Sequence, residues 1–153
     1  MQRLTATVLL IMMILGFSCK KSSENVTKEH QKFLGAWKLT GTTGGFGQLL
    51  TPYPETPQYV FLNSNGVMEV YNGKNKKTEQ AAFIIYEKIV CGDEEKSTML
   101  HTTYNSGKEY AIRLNGDDQL TIGSPACVND GGVNIFERTY RNLPAALSSK
   151  AAF

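Results

Sequence analysis

Three cysteines, two histidines and two short acidic runs are the residues of this 153-residue chain whose types could do chemistry. A thiolate can attack, ligate a metal or pair as a disulfide, an imidazole can move a proton near neutrality, and clustered carboxylates can hold a hard cation. Each role needs partners at a set spacing. His30 and His101 stand far apart, and no His-x-His, Cys-x-x-Cys or His-Glu-x-x-His pattern organises them around zinc. A lone strand histidine such as His101 is a structural residue more often than a base or a haem ligand. Asp93-Glu94-Glu95 and Asp117-Asp118 lack the alternating ligands of a calcium loop and read as solvated turns. Gly44-Gly45-Phe46-Gly47 runs into prolines rather than into a helix, so it offers no phosphate cradle. With no nucleophile set beside a base, the expectation is a protein that is not an enzyme and carries neither metal nor cofactor.

The cysteines divide by context. Cys19 ends an uncharged apolar run, residues 8–15, which follows Arg3 and leads through Gly16 and Ser18 into the polar Lys20-Lys21-Ser22-Ser23. Eight apolar residues are too few to span a bilayer as a helix, which takes about 20, and the layout is that of a cleavable leader. The segment resembles a bacterial lipobox, with the bulky Phe17 departing from its commonest form. That resemblance implies a signal peptide over 1–18, a lipid-bearing Cys19, a tether over 19–30 and residence in the cell envelope, anchored to the outer membrane. Cys91 and Cys127 remain. In an oxidising compartment two such residues tend to pair, and closing a loop of this length is worth roughly 4 kcal/mol in the chain-entropy account. The strand order read below sets them at opposite ends of the molecule, whereas bridged Cα atoms lie within about 7 Å, so the sequence leaves the bridge open.

Apart from the leader, no dozen residues hold an apolar stripe at helical spacing, while glycine, threonine and aromatics are plentiful. The formal charge is +2, and about +1 without Arg3, too little positive potential to hold phosphate backbones, so nucleic acid is not expected as a partner. After a helical turn over 27–34, strands are expected at 36–42, 58–63, 66–72, 79–90, 97–104, 108–114, 119–123 and 133–141. Asn65-Gly66 is expected to supply positive φ angles for a tight hairpin. Pro52, Pro54 and Pro57 argue against a ladder within the long 41–57 connection, and residues 142–153 form a weak helix or frayed tail. Eight sequential antiparallel strands leave two exposed edges unless the last closes onto the first. The expected fold is all-β, an eight-stranded antiparallel up-and-down barrel over residues 31–141.

The motif Gly35-Ala36-Trp37 at the start of the first strand, with Phe136-Glu137-Arg138 in the last, resembles the lipocalins, specifically the lipocalin-like lipoproteins of Gram-negative bacteria. Asn115-Gly116-Asp117-Asp118 stands where many lipocalins carry a Thr-Asp-x-Tyr type motif, and a long C-terminal helix is lacking. The resemblance implies closure of the barrel by Gly35, Trp37 and Arg138, with the guanidinium packed across the indole, and a small hydrophobic ligand inside. Face parity nominates Trp37, Met68, Val70, Ile84, Tyr86, Tyr110, Ile112, Leu120 and Phe136 as lining. Two alternatives stand beside the carrier. The same side chains could simply fill the barrel, and the 41–57 loop, with Phe46 and Tyr53, could instead present a surface to a protein partner.

Overall fold

The computed structural model describes residues 26–44, 51–52, 57–74, 76–92, 94–103, 107–125, 131–139 and 147. A 3₁₀ helix, Lys28–Phe33, leads into nine strands: β1 (Gly35–Thr43), β2 (Thr51–Pro52), β3 (Tyr59–Leu62), β4 (Val67–Tyr71), β5 (Lys77–Ile89), β6 (Lys96–Thr102), β7 (Glu109–Asn115), β8 (Gln119–Gly123) and β9 (Val133–Arg138). All neighbours are antiparallel, and β9 returns to pair with β1 from Trp37↔Arg138 to Thr43↔Val133. The closed, eight-stranded all-antiparallel barrel that the strand count predicts is therefore present. β2 adds no ninth stave, because it pairs with Gly41 and Thr42 of β1 further along the side that β3 takes at Gly35–Lys38.

Several local expectations change. The proline-rich connection does contain a short ladder, Gly41↔Pro52, since proline loses its N–H but keeps its carbonyl as an acceptor. At Asn65-Gly66 only Gly66 has positive φ (75°), and Gly66 N–H donates to Asn63 O while Asn63 N–H donates to Val67 O. That is a turn closed by one left-handed glycine rather than a two-residue turn needing two such residues. The domain also begins earlier than residue 31. Val26 is 4 % exposed and joins Phe33 and Trp37 in the core, so the expected tether loses its last residues to the barrel. Thr27 makes no capping bond; its hydroxyl instead meets His30 Nδ1 at 3.0 Å.

Alternation along the strands sorts side chains into an interior and an outer face. The interior core takes Trp37, Leu39, Val60, Leu62, Met68, Ala81, Phe83, Ile85, Leu100, Ile112, Leu120, Ile122 and Phe136. A second buried cluster lies outside the barrel wall, where Ala36, Tyr59, Phe61 and Tyr71 pack with Leu147. The rings of Phe61 and Tyr71 meet edge-on at 5.3 Å. Leu147 is 1 % exposed, so the stretch read as a weak helix or frayed tail contributes a docked side chain; the rest of 140–153 lies outside the described residues. Leu147→Ala is expected to cost about 2 kcal/mol, the low end for a buried leucine because the cluster sits on the rim of the fold. A urea midpoint that does not move would show that Leu147 adds nothing to the barrel.

Candidate functional site

One end of the barrel is shut by a small set of residues from the first and last strands. Gly35 has φ +131°, and a Cβ there would come within 2.9 Å of Arg138 Nη1, so both the backbone angle and the close approach call for glycine. Trp37, fully buried, donates its indole N–H to Phe33 O at 2.9 Å, which ties the 3₁₀ helix across the base. The Arg138 guanidinium carbon lies 4.1 Å from the indole centroid. Its N–H groups donate to Asp117 O, Leu34 O and Lys32 O at 2.9, 2.9 and 2.7 Å. A planar fork serving three backbone carbonyls while stacked on an aromatic ring is a task for arginine and not for lysine. Arg138→Ala is expected to cost about 2 kcal/mol, one charge-assisted hydrogen bond's worth after solvent screening, with Arg138→Lys recovering less than half. Equal stability of the lysine variant and the parent in urea would contradict that reading.

Above this base Ile112 and Leu120 are fully buried and fill the barrel. Toward the other end the packing opens into a cavity of about 190 Å³, with Val60, Met68, Val70, Leu100, Tyr110, Ile122 and Phe136 forming its apolar wall. Gly123, Ser124 and Gly132 line it without side-chain bulk, and Glu79, Thr102 and Asn134 supply polar groups. Gly123 leaves no room for anything larger, because a Cβ would stand 2.7 Å from Gly132 O. Of the nine residues nominated by parity, Met68, Val70, Tyr110 and Phe136 line the cavity, while Trp37, Ile112 and Leu120 belong to the filled half beneath it.

Ile84 and Tyr86 do not face the interior. Ile84 is 50 % exposed, and Ala81, Phe83 and Ile85 of the same strand are the buried ones. Residues 81–86 are apolar on both faces, so alternation alone could not fix the parity, and a one-residue choice reverses every side chain. On the outer face Tyr86 donates to Glu109 Oε1 at 2.5 Å, and Lys88 Nζ lies 2.7 Å from Glu109 Oε2. His101 is the cross-strand partner of Ile84 and Glu109, so it too lies on the outside and away from the cavity. Hydrogen bonds from Lys88 and Tyr86 hold the Glu109 carboxyl below its ordinary value. Partial desolvation, then the Glu109 bond and charge, pushes the Tyr86 phenol up to about 12. Its protonated form is thus favoured on folding, and that contribution is complete below the ordinary phenol value near 10 and lost as pH rises through about 12. Ultraviolet titration of the parent should show a late tyrosine ionisation that Glu109→Gln moves to lower pH; an unchanged profile would deny the coupling.

Cys91 is disulfide-bonded. It sits in the β5–β6 turn with φ +66°, followed by Gly92 at +75°. Cys127 and Cys19 lie outside the described residues, as do residues 1–18 of the expected leader and Phe46 and Tyr53 of the long loop. Among the described residues no three histidine, cysteine or acidic side chains converge to hold a metal, and no helix is long and apolar enough to cross a membrane. No family model, curated protein or solved structure matches the chain.

Proposed function

We propose that this chain is a lipid-anchored binding module of the cell envelope, lipocalin-like in plan, which holds a compact and mainly apolar molecule in the open half of its barrel. The observation that carries the reading is the division of one interior into a plugged base and a cavity of about 190 Å³. A void of about 150 Å³ lined by aliphatic and aromatic groups suffices for benzene, whereas sites for drug-sized ligands run to about 300–1,000 Å³. The cavity suits a single ring, a short alkyl chain, or the inserted end of something longer. The anchor follows from Cys19 at the border between an apolar run and a polar segment; chains thioether-linked and amide-linked there bury about 0.8 kcal/mol per methylene.

The test is organic extraction and mass spectrometry of the full chain purified from its membrane fraction, beside Val70→Trp, which intrudes on the cavity. A small molecule present in the parent and absent from the variant supports the reading. A parent that is always empty, and that takes up neither toluene nor a short fatty acid, overturns it. Radioactive palmitate incorporation, with Cys19→Ala as the contrast, tests the anchor separately.

A further inference from the structure

The chain enters the barrel at one end, and the cavity opens at the other. Trp37 at the start of β1 and Arg138 at the end of β9 fasten the Lys28–Phe33 helix under the base, through Phe33 O, Leu34 O and Lys32 O. The cavity is lined from the opposite strand ends, by Gly123 closing β8, Ser124 just beyond it, and Gly132 and Asn134 at the opening of β9. Whatever leads into the helix therefore joins the molecule at its plugged end.

Chain length turns that polarity into an orientation. Val26 is 4 % exposed and shares a core cluster with Phe33 and Trp37, so the fold holds the chain from that residue on. Val26 is the seventh residue after Cys19, and an extended chain advances at most about 3.6 Å per residue, so a lipid on Cys19 lies within about 25 Å of the base. Bringing the mouth to the bilayer takes more. β1 has nine residues, which span about 26 Å along the strand and about 20 Å along the axis of a barrel whose strands tilt by about 40°. The tether would have to cover that height after crossing from the core to the outside of the wall, roughly 9 Å for eight strands about 4.8 Å apart.

We infer that the barrel stands base-down on the membrane that carries it, with the face around the Lys28–Phe33 helix apposed to lipid headgroups and the mouth open to the aqueous compartment. The ligand is then taken up and released on the aqueous side, not laterally from the anchoring bilayer. This rests on the lipid anchor of the proposed function and adds the side from which the cavity is served. The β5–β6 hairpin points the same way as the helix. From Phe83 to Ile89, β5 pairs with β6 alone, so the hairpin runs past the base and carries Ile89, 55 % exposed, toward the headgroups. Exposed Lys28 and Lys32 stand there with Glu29, Asp117 and Asp118, so opposite charges largely offset one another and tether length, rather than attraction to anionic lipid, sets the orientation.

The test is energy transfer from a dye on the lipidated full chain to acceptor-labelled headgroups in phosphatidylcholine vesicles. Ser64→Cys places the dye on the β3–β4 turn at the base and Lys74→Cys on the β4–β5 turn at the mouth, both exposed; the parent carried through the same labelling is the blank. The Ser64 dye is expected to lie about 20 Å nearer the headgroups than the Lys74 dye, and so to lose more of its emission. A spacer of about 15 Gly and Ser residues inserted after Ser23 lengthens the reach by about 50 Å and should erase most of that difference. Equal transfer from the two sites, stronger transfer from Lys74, or a difference that the spacer leaves unchanged overturns the orientation and leaves the anchor standing. A chain that does not float with the vesicles overturns the anchor itself.

Discussion

Trp37→Ala is expected to destabilise the barrel by about 3–5 kcal/mol, the range for deleting a fully buried large aromatic. Three losses coincide. The indole is 0 % exposed, so its removal opens a void at the base. Its N–H bond to Phe33 O disappears, leaving that carbonyl beneath the 3₁₀ helix without its donor. The guanidinium of Arg138 loses the ring that it covers at 4.1 Å. Domains of this size hold only about 5–15 kcal/mol in total, so the variant should unfold at a much lower urea concentration with an unchanged slope. Circular dichroism is the proper readout, because the substitution removes the chain's single tryptophan. Trp37→Phe should recover most of the packing and none of the hydrogen bond, and a loss under about 1 kcal/mol for the alanine variant would mean that the base is held shut by something else.

Cys91→Ser is expected to cost about 2–4 kcal/mol, the usual worth of a disulfide that restricts the unfolded chain. The backbone contribution cancels, since serine at φ +66° is as strained as cysteine. The identity of the partner follows from a cycle of variants. If it is Cys127, Cys127→Ser costs the same, the double variant costs no more than either within about 0.5 kcal/mol, and Cys19→Ser is neutral. If it is Cys19, the pattern reverses, and the lipid-anchor reading fails with it because a bridged sulfur cannot carry a thioether. A neutral Cys91→Ser in the oxidised chain would contradict a stabilising bridge altogether.

The strand pattern and the turn signals were enough to read a closed barrel, because period-two alternation and hairpin order are written in local sequence and eight sequential strands leave two free edges unless the last pairs with the first. The same reasoning misassigned Ile84 and Tyr86. A continuous Ala81-Ala82-Phe83-Ile84-Ile85-Tyr86 run has no wet face to break the tie, and only pairing with β6, Ile85↔Leu100 and Phe83↔Thr102, chose which members go inside. Glu79 was missed for the same reason, since it shares the face of Ala81, Phe83 and Ile85 and the reversed parity of this run put it outside. Asn134 shares a face with Phe136, which alternation does place inside, but a polar residue at the start of a strand carries no apolar signal of lining. Leu147 was missed because its partners, Tyr59, Phe61 and Tyr71, belong to strands whose other face is already buried.

By itself the sequence determined that there are strands, how many close the sheet, and that Gly35 and Trp37 begin it, since these depend on period-two patterning and turn chemistry within a few residues. The tertiary structure alone decided which half of the barrel is filled, where its carboxylate points and what covers its outer wall. Those outcomes depend on register between strands, where a shift of one residue exchanges inside for outside at little local cost, so the choice is made only when all the faces pack at once.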